Sequence, residues 1–118
     1  MISMREAYEK IGADYDGASV RLMGEEMLAR FALKFLDDES MDKLEAAMAA
    51  GDAKEAFMAA HTLKGVSQNL GFDNLYESAV VVTEALRGAD AVDGAREGMH
   101  ALQQQYAATM SALREAAE

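Results

Sequence analysis

Proline and cysteine do not occur in the 118 residues. Without cysteine there is no disulfide framework, no thiolate zinc site and no thiol nucleophile, and a reducing, cytoplasmic setting is the expectation. Without proline no helix interior carries a built-in breaker. Long apolar runs are missing too: the AVVV cluster at Ala79–Val82 falls far short of the roughly 18 residues a membrane span needs. The opening MISMREAYEKIG has no apolar core of the secretory kind, so no signal peptide is expected there. Positive charge is scarce, with 11 Lys and Arg against 21 Asp and Glu, a formal net charge of −10. Such a chain repels phosphate backbones, which argues against a nucleic-acid partner. A site that handles anions must therefore build its own local positive field.

What is abundant is Ala, Glu, Leu and Met, all good helix formers. No stretch alternates with period two, and no Asn-Gly or Asp-Gly turn joins two apolar runs. The expectation is an all-α fold, one domain over residues 1–118. Ser3-Met4-Arg5-Glu6 reads as a capping box opening a short helix with Met4, Ala7, Tyr8 and Ile11 on one face. Ala13–Ala18 reads as a polar connector. A second helix is expected from about Ser19 to Leu36, with Val20, Met23, Met27, Phe31 and Phe35 inward. Asp37-Asp38-Glu39 ends it. Ser40 is expected to cap a short third helix with Met41, Leu44 and Met48 inward, closed by Gly51.

Asp52 with Glu55 reads as a second capping box, opening a fourth helix that runs to Gly71. Asp73 is expected to cap a fifth helix, to about Arg87, with Leu75, Ala79, Val82 and Leu86 inward. Asp90 is the expected cap of a sixth, whose seam is Val92, Ala95, Met99, Leu102, Tyr106, Thr109 and Leu113, with a frayed tail at Arg114–Glu118. The architecture inferred is an antiparallel four-helix bundle of the second, fourth, fifth and sixth helices. The additional short helices of the N-terminal half pack at its end or side. The nine methionines fall mostly at core spacing, as gap fillers rather than ligands.

The fourth helix has two faces. Turning 100° per residue, Ala53, Ala56, Ala60, Leu63, Ser67 and Leu70 form a core stripe. Phe57, His61, Lys64, Gln68, Lys54 and Gly65 share the adjoining, more exposed sector. Lys64, one turn above His61, can place its ammonium by an anion on the imidazole. Lys54 adds a longer-range charge, and Gln68 offers amide donors. Phe57 is a candidate apolar rim. A mid-helix Gly65 costs the helix about 1 kcal/mol against Ala, and close approach of another surface to His61 would explain it. This is the layout wanted for a histidine that carries a phosphoryl group. No phosphate-cradling Gly-rich loop, acidic metal cluster or second metal-spaced histidine accompanies it. Carriage without autonomous turnover is therefore expected, so the chain is not an enzyme in the turnover sense. The other histidine, His100, reads as a plain surface or packing residue.

The stretch AHTLKGVSQNLG, Ala60–Gly71, resembles the histidine phosphotransfer (HPt) domains of bacterial and fungal two-component phosphorelays. Their motif has a His, Lys-Gly at the third and fourth positions after it, and a Gly near the tenth; here these are His61, Lys64-Gly65 and Gly71. The order of helices agrees along essentially the whole chain. The resemblance implies a helical bundle with His61 as the phospho-accepting residue, Lys64 steadying the phosphoryl group and Gly65 clearing room for a partner. The partners implied are response-regulator receiver domains and a sensor histidine kinase, the receiver supplying Mg²⁺, with no cofactor of the chain's own. Many members place a Gln or Glu about 22 residues beyond the His to hydrogen-bond its ring; that count lands on Thr83, with Glu84 beside it. A free-standing monomeric relay protein is the first expectation. A helical adaptor that docks receiver or kinase domains without relaying phosphate, and an HPt input domain of a chemotaxis-type kinase, are the alternatives.

Overall fold

A computed structural model describes residues 1–117. Its helices are α1 (Met4–Lys10), α2 (Tyr15–Arg21), α3 (Glu25–Lys34), α4 (Ser40–Ala50), α5 (Ala53–Asn69), α6 (Asp73–Leu86) and α7 (Arg96–Ala117). Single 3₁₀ turns at Phe35–Asp37 and Asp93–Ala95 follow α3 and precede α7. No strand occurs among the described residues, so the all-α reading holds.

Local signals explain most of the element ends. At α1 the Ser3 hydroxyl accepts from the Glu6 N–H and the Glu6 carboxylate accepts from the Ser3 N–H, the reciprocal box read from the sequence. Hydrogen bonding from Ser3, its backbone N–H first, also holds the Glu6 carboxyl below its ordinary range. At α5 only half of the expected box forms: the Asp52 carboxylate accepts from the Glu55 N–H at 3.1 Å. Ser40 is not a cap but the first helical residue of α4, its N–H donating to the Asp38 carboxylate at 2.9 Å. Asp73 likewise lies inside the first turn of α6, behind Phe72. Asp90 caps nothing, because a 3₁₀ turn intervenes before α7.

The N-terminal half departs most from expectation. The polar connector at Ala13–Ala18 is partly helical, because Asp14 caps α2 through its bond to the Gly17 N–H. The single helix expected from Ser19 to Leu36 is two helices, broken at Leu22-Met23-Gly24, where Met23 has φ +65° and Gly24 φ +128°. With the chain broken there, Val20 and Met23 point outward, Met23 being 88% exposed. The buried side of α3 is Leu28 and Ala32, continued by Phe35, rather than Met27 and Phe31. Phe31 is partly exposed and lies under the Lys34 ammonium at 5.6 Å.

Helix α5 is central: it packs against α4 on one side and α6 on the other, and α6 in turn packs on α7. The short α4 therefore lies along the side of α5, one of the two placements expected for it. The seam of the last helix is as read, with Val92, Ala95, Met99, Leu102, Thr109 and Leu113 buried and Tyr106 half-buried. So are the inward faces of α4 and α6. The C-terminal tail does not fray over its described part. Helix α7 continues to Ala117, and Glu115 accepts from the Lys10 ammonium at 2.7 Å, tying α7 to α1. Glu118 lies outside the described residues.

Candidate functional site

The six small or apolar residues of the α5 stripe, Ala53, Ala56, Ala60, Leu63, Ser67 and Leu70, are all buried. Burying that stripe between α4 and α6 fixes the rotation of α5. His61, Gly65, Gln68 and Lys54 are consequently exposed, with Phe57 and Lys64 half-buried at the edge.

The C-terminal end of α5 is closed by hydrogen bonds from α1 and α2. Helix ends leave carbonyls without partners. Here Gly71 turns with φ +75°, and the Phe72 N–H donates to Ser67 O at 2.9 Å while the Gly71 N–H donates to Gln68 O at 3.1 Å. The Arg21 guanidinium donates to Gln68 O at 3.1 Å and to Asn69 O at 3.4 Å. The Tyr8 hydroxyl donates to Leu70 O at 2.7 Å, and the Asp14 N–H to Gly71 O at 2.8 Å. Gly71 is thus the pivot where α1 and α2 clasp the end of the histidine helix. A Cβ there would meet the Asp14 carbonyl oxygen at 2.6 Å.

Around His61 the structure brings together three of the residues read from the sequence and two that were missed. The Phe57 ring stacks nearly parallel on the imidazole, 17° between planes and 5.9 Å between centroids. Phe57 is therefore a stacking partner as much as a rim; the more exposed apolar neighbour is Met58, at 56%. A Cβ built on Gly65 meets nothing within 4 Å, so the space one turn above His61 is open. Gly65, Gln68 and Asn69 share with Arg21 a shallow cleft of about 410 Å³. Arg21 reaches it from α2, and no helical spacing within α5 could have signalled that. Arg87, the second missed cation, places its guanidinium 5.1 Å from the centre of the Phe57 ring. Its position just past α6 gave no periodic signal either.

The two positions considered for orienting His61 are used otherwise. Thr83 is fully buried, and its hydroxyl donates back to Ala79 O at 2.7 Å. Glu84 accepts two hydrogen bonds from Arg87, at 3.1 and 3.0 Å. The paired Arg87, with Lys64 nearby, holds the Glu84 carboxyl below its ordinary range. Among the described residues no hydrogen bond reaches the His61 ring. His100 stands apart on α7, beside Met99 and Glu45. A larger cleft, about 520 Å³, lies on the α4 side of α5 and is lined by Lys43, Ala47, Met58 and others but not by His61. No three His, Cys, Asp or Glu side chains converge as metal ligands among the described residues, and no described helix is long and apolar enough to cross a membrane.

The fold and the site define a class: an all-helical protein with an exposed histidine on the flank of its central helix and open space at Gly65, one turn above it. Compared with known families, the chain matches the one described as the Hpt domain over residues 26–116. It belongs to that family, whose role is histidine phosphotransfer in two-component systems. Neither the comparison with curated proteins nor that with solved structures finds a match.

Proposed function

We propose that the protein is a phosphorelay intermediate in which His61 exchanges a phosphoryl group with aspartates of receiver domains. The observation that carries this reading is the exposed, unbonded imidazole beside a Gly65 with no atom near its missing side chain. In the loading direction a ring nitrogen attacks the phosphorus of an aspartyl phosphate. The N–P bond forms as the O–P bond to the carboxylate breaks, and the carboxylate leaves as an anion. The second ring nitrogen carries the positive charge until its proton departs to water. Unloading is the reverse. The receiver supplies Mg²⁺ and the acidic groups that hold it; this chain supplies the nucleophile, the Lys64 ammonium and access. Gln68, exposed one further turn up, is placed for a hydrogen bond to a phosphoryl oxygen. The chain acts as a carrier rather than a turnover catalyst, and its working place is the cytoplasm, where a sensor histidine kinase feeds the relay.

The test is to mix the chain with phosphorylated receivers and follow acid-labile, base-stable label. Label moves to the wild type and not to His61→Gln, whose helicity and melting stay nearly unchanged because the side chain is exposed. Wild-type protein that takes no label from any receiver of its host, but still binds one, moves the chain to the adaptor reading.

A further inference from the structure

An imidazole on an exposed helix face turns freely about two side-chain bonds, and each wrong orientation removes it from attack. Productive transfer needs the nucleophile held close to one geometry. The next helix supplies no hydrogen bond for this purpose, since the buried Thr83 hydroxyl donates to Ala79 O and Glu84 is paired with Arg87. The aromatic ring beside it is Phe57, one turn earlier on α5, nearly parallel to it and offset with 5.9 Å between centroids. Parallel rings offset in this way attract through dispersion and complementary quadrupoles.

The stack is supported from outside α5. The Arg87 guanidinium lies 5.1 Å from the Phe57 ring centre, where a cation is drawn to an aromatic ring. Two hydrogen bonds to Glu84 hold that guanidinium in turn. Planar side chains are thus arranged in series from the end of α6 to the histidine.

We propose that Phe57 is the positioning residue of the His61 imidazole, and that Arg87 keeps Phe57 in place. This rests on the reading of His61 as the phosphoryl carrier. Stacking suits the task chemically. The nucleophilic lone pair lies in the plane of the imidazole, so a ring laid against its face leaves both nitrogens unobstructed. A hydrogen-bonding side chain would occupy one of them. A bare apolar rim for the partner, by contrast, would alter docking and leave the imidazole indifferent.

The test compares Phe57→Leu, which keeps apolar bulk without a ring, with Phe57→Tyr, which restores the ring. In the unphosphorylated chain alone, NMR relaxation of the His61 ring reports its order. Phe57→Leu is expected to free the imidazole and to slow single-turnover transfer within the receiver complex about three- to tenfold. Receiver affinity and melting stay near wild type, and Phe57→Tyr recovers both order and rate. Arg87→Gln, on an exposed side chain, guards against a folding artefact and is expected to loosen the imidazole partway. An imidazole as ordered in Phe57→Leu and Arg87→Gln as in wild type overturns the proposal, as does a loss confined to receiver affinity. Wild-type protein that takes no label overturns the carrier role instead, and the NMR comparison separates the two failures.

Discussion

Gly65→Ala should make the protein more stable and its proposed reaction slower. Glycine in a helix interior costs about 1 kcal/mol relative to alanine, through backbone entropy. The substitution recovers that amount only if the new methyl meets nothing, and no atom lies within 4 Å of the position it would take. Position 65 is exposed and has no left-handed backbone to penalise a side chain. For a chain of this size a gain of about 1 kcal/mol raises Tm by roughly 3–6 °C. The same methyl stands in the open space beside His61, so transfer from a phosphorylated receiver should slow, and Gly65→Leu should slow it further at similar stability. Gly71→Ala is the control in the opposite direction. It forces an L side chain into φ +75°, a cost of roughly 1–2 kcal/mol before any clash. It also sets a Cβ 2.6 Å from the Asp14 carbonyl oxygen. Thermal melts and single-turnover transfer on the three variants decide the matter. A Gly65→Ala protein that melts lower than wild type refutes the open-space argument; one that melts higher and transfers at full speed, along with Gly65→Leu, refutes clearance as the reason for the glycine.

Other substitutions test other parts of the structure. Ser67 is fully buried with a hydroxyl that has no hydrogen-bond partner, so Ser67→Ala should leave stability unchanged or raise it by up to about 1 kcal/mol in denaturant titration. Tyr8→Phe orphans Leu70 O at the end of α5 and should cost about 1–2 kcal/mol by the same measurement. Burial pushes the Tyr8 hydroxyl well above its ordinary 10.0, so its contribution is intact below pH 10 and fades as pH rises toward the shifted value. Tyr8→Phe should therefore flatten the alkaline loss of stability, though Tyr15 and Tyr106, shifted upward for the same reason, keep some of it. Lys64→Ala should leave the melt in place and shorten the life of the phosphorylated form about fivefold, the kinetic equivalent of roughly 1 kcal/mol, the worth of a solvent-exposed charge pair.

Much of this fold could be read from spacing because one period ruled each segment. In α5, α6 and α7 the small and apolar residues recur on a single stripe, and each stripe proved buried but for the half-buried Tyr106. Segment Ser19–Leu36 carried two stripes that meet at Phe35, the expected Val20–Met23–Met27–Phe31–Phe35 and Leu28–Ala32–Phe35. Periodicity could not choose between them. Packing chose the second, once Met23 and Gly24 took left-handed backbone and broke the helix. The site divides in the same way. His61, Lys64, Gly65 and Gln68 lie on one helix, so their shared face followed from 100° per residue. Arg21 and Arg87 come from other elements, and the folded chain alone brings them there. Phe57 was visible as a neighbour of His61, but its parallel stacking depends on rotamers that spacing does not specify.

The most direct measurement is the location of the phosphoryl group itself. After transfer from a phosphorylated receiver, the chain is digested under alkaline conditions, which preserve phosphohistidine, and its peptides are mapped by mass spectrometry. All of the added phosphate should sit on His61 and none on His100. Phosphate on His100, or a phosphorylated His61→Gln protein, would contradict the account.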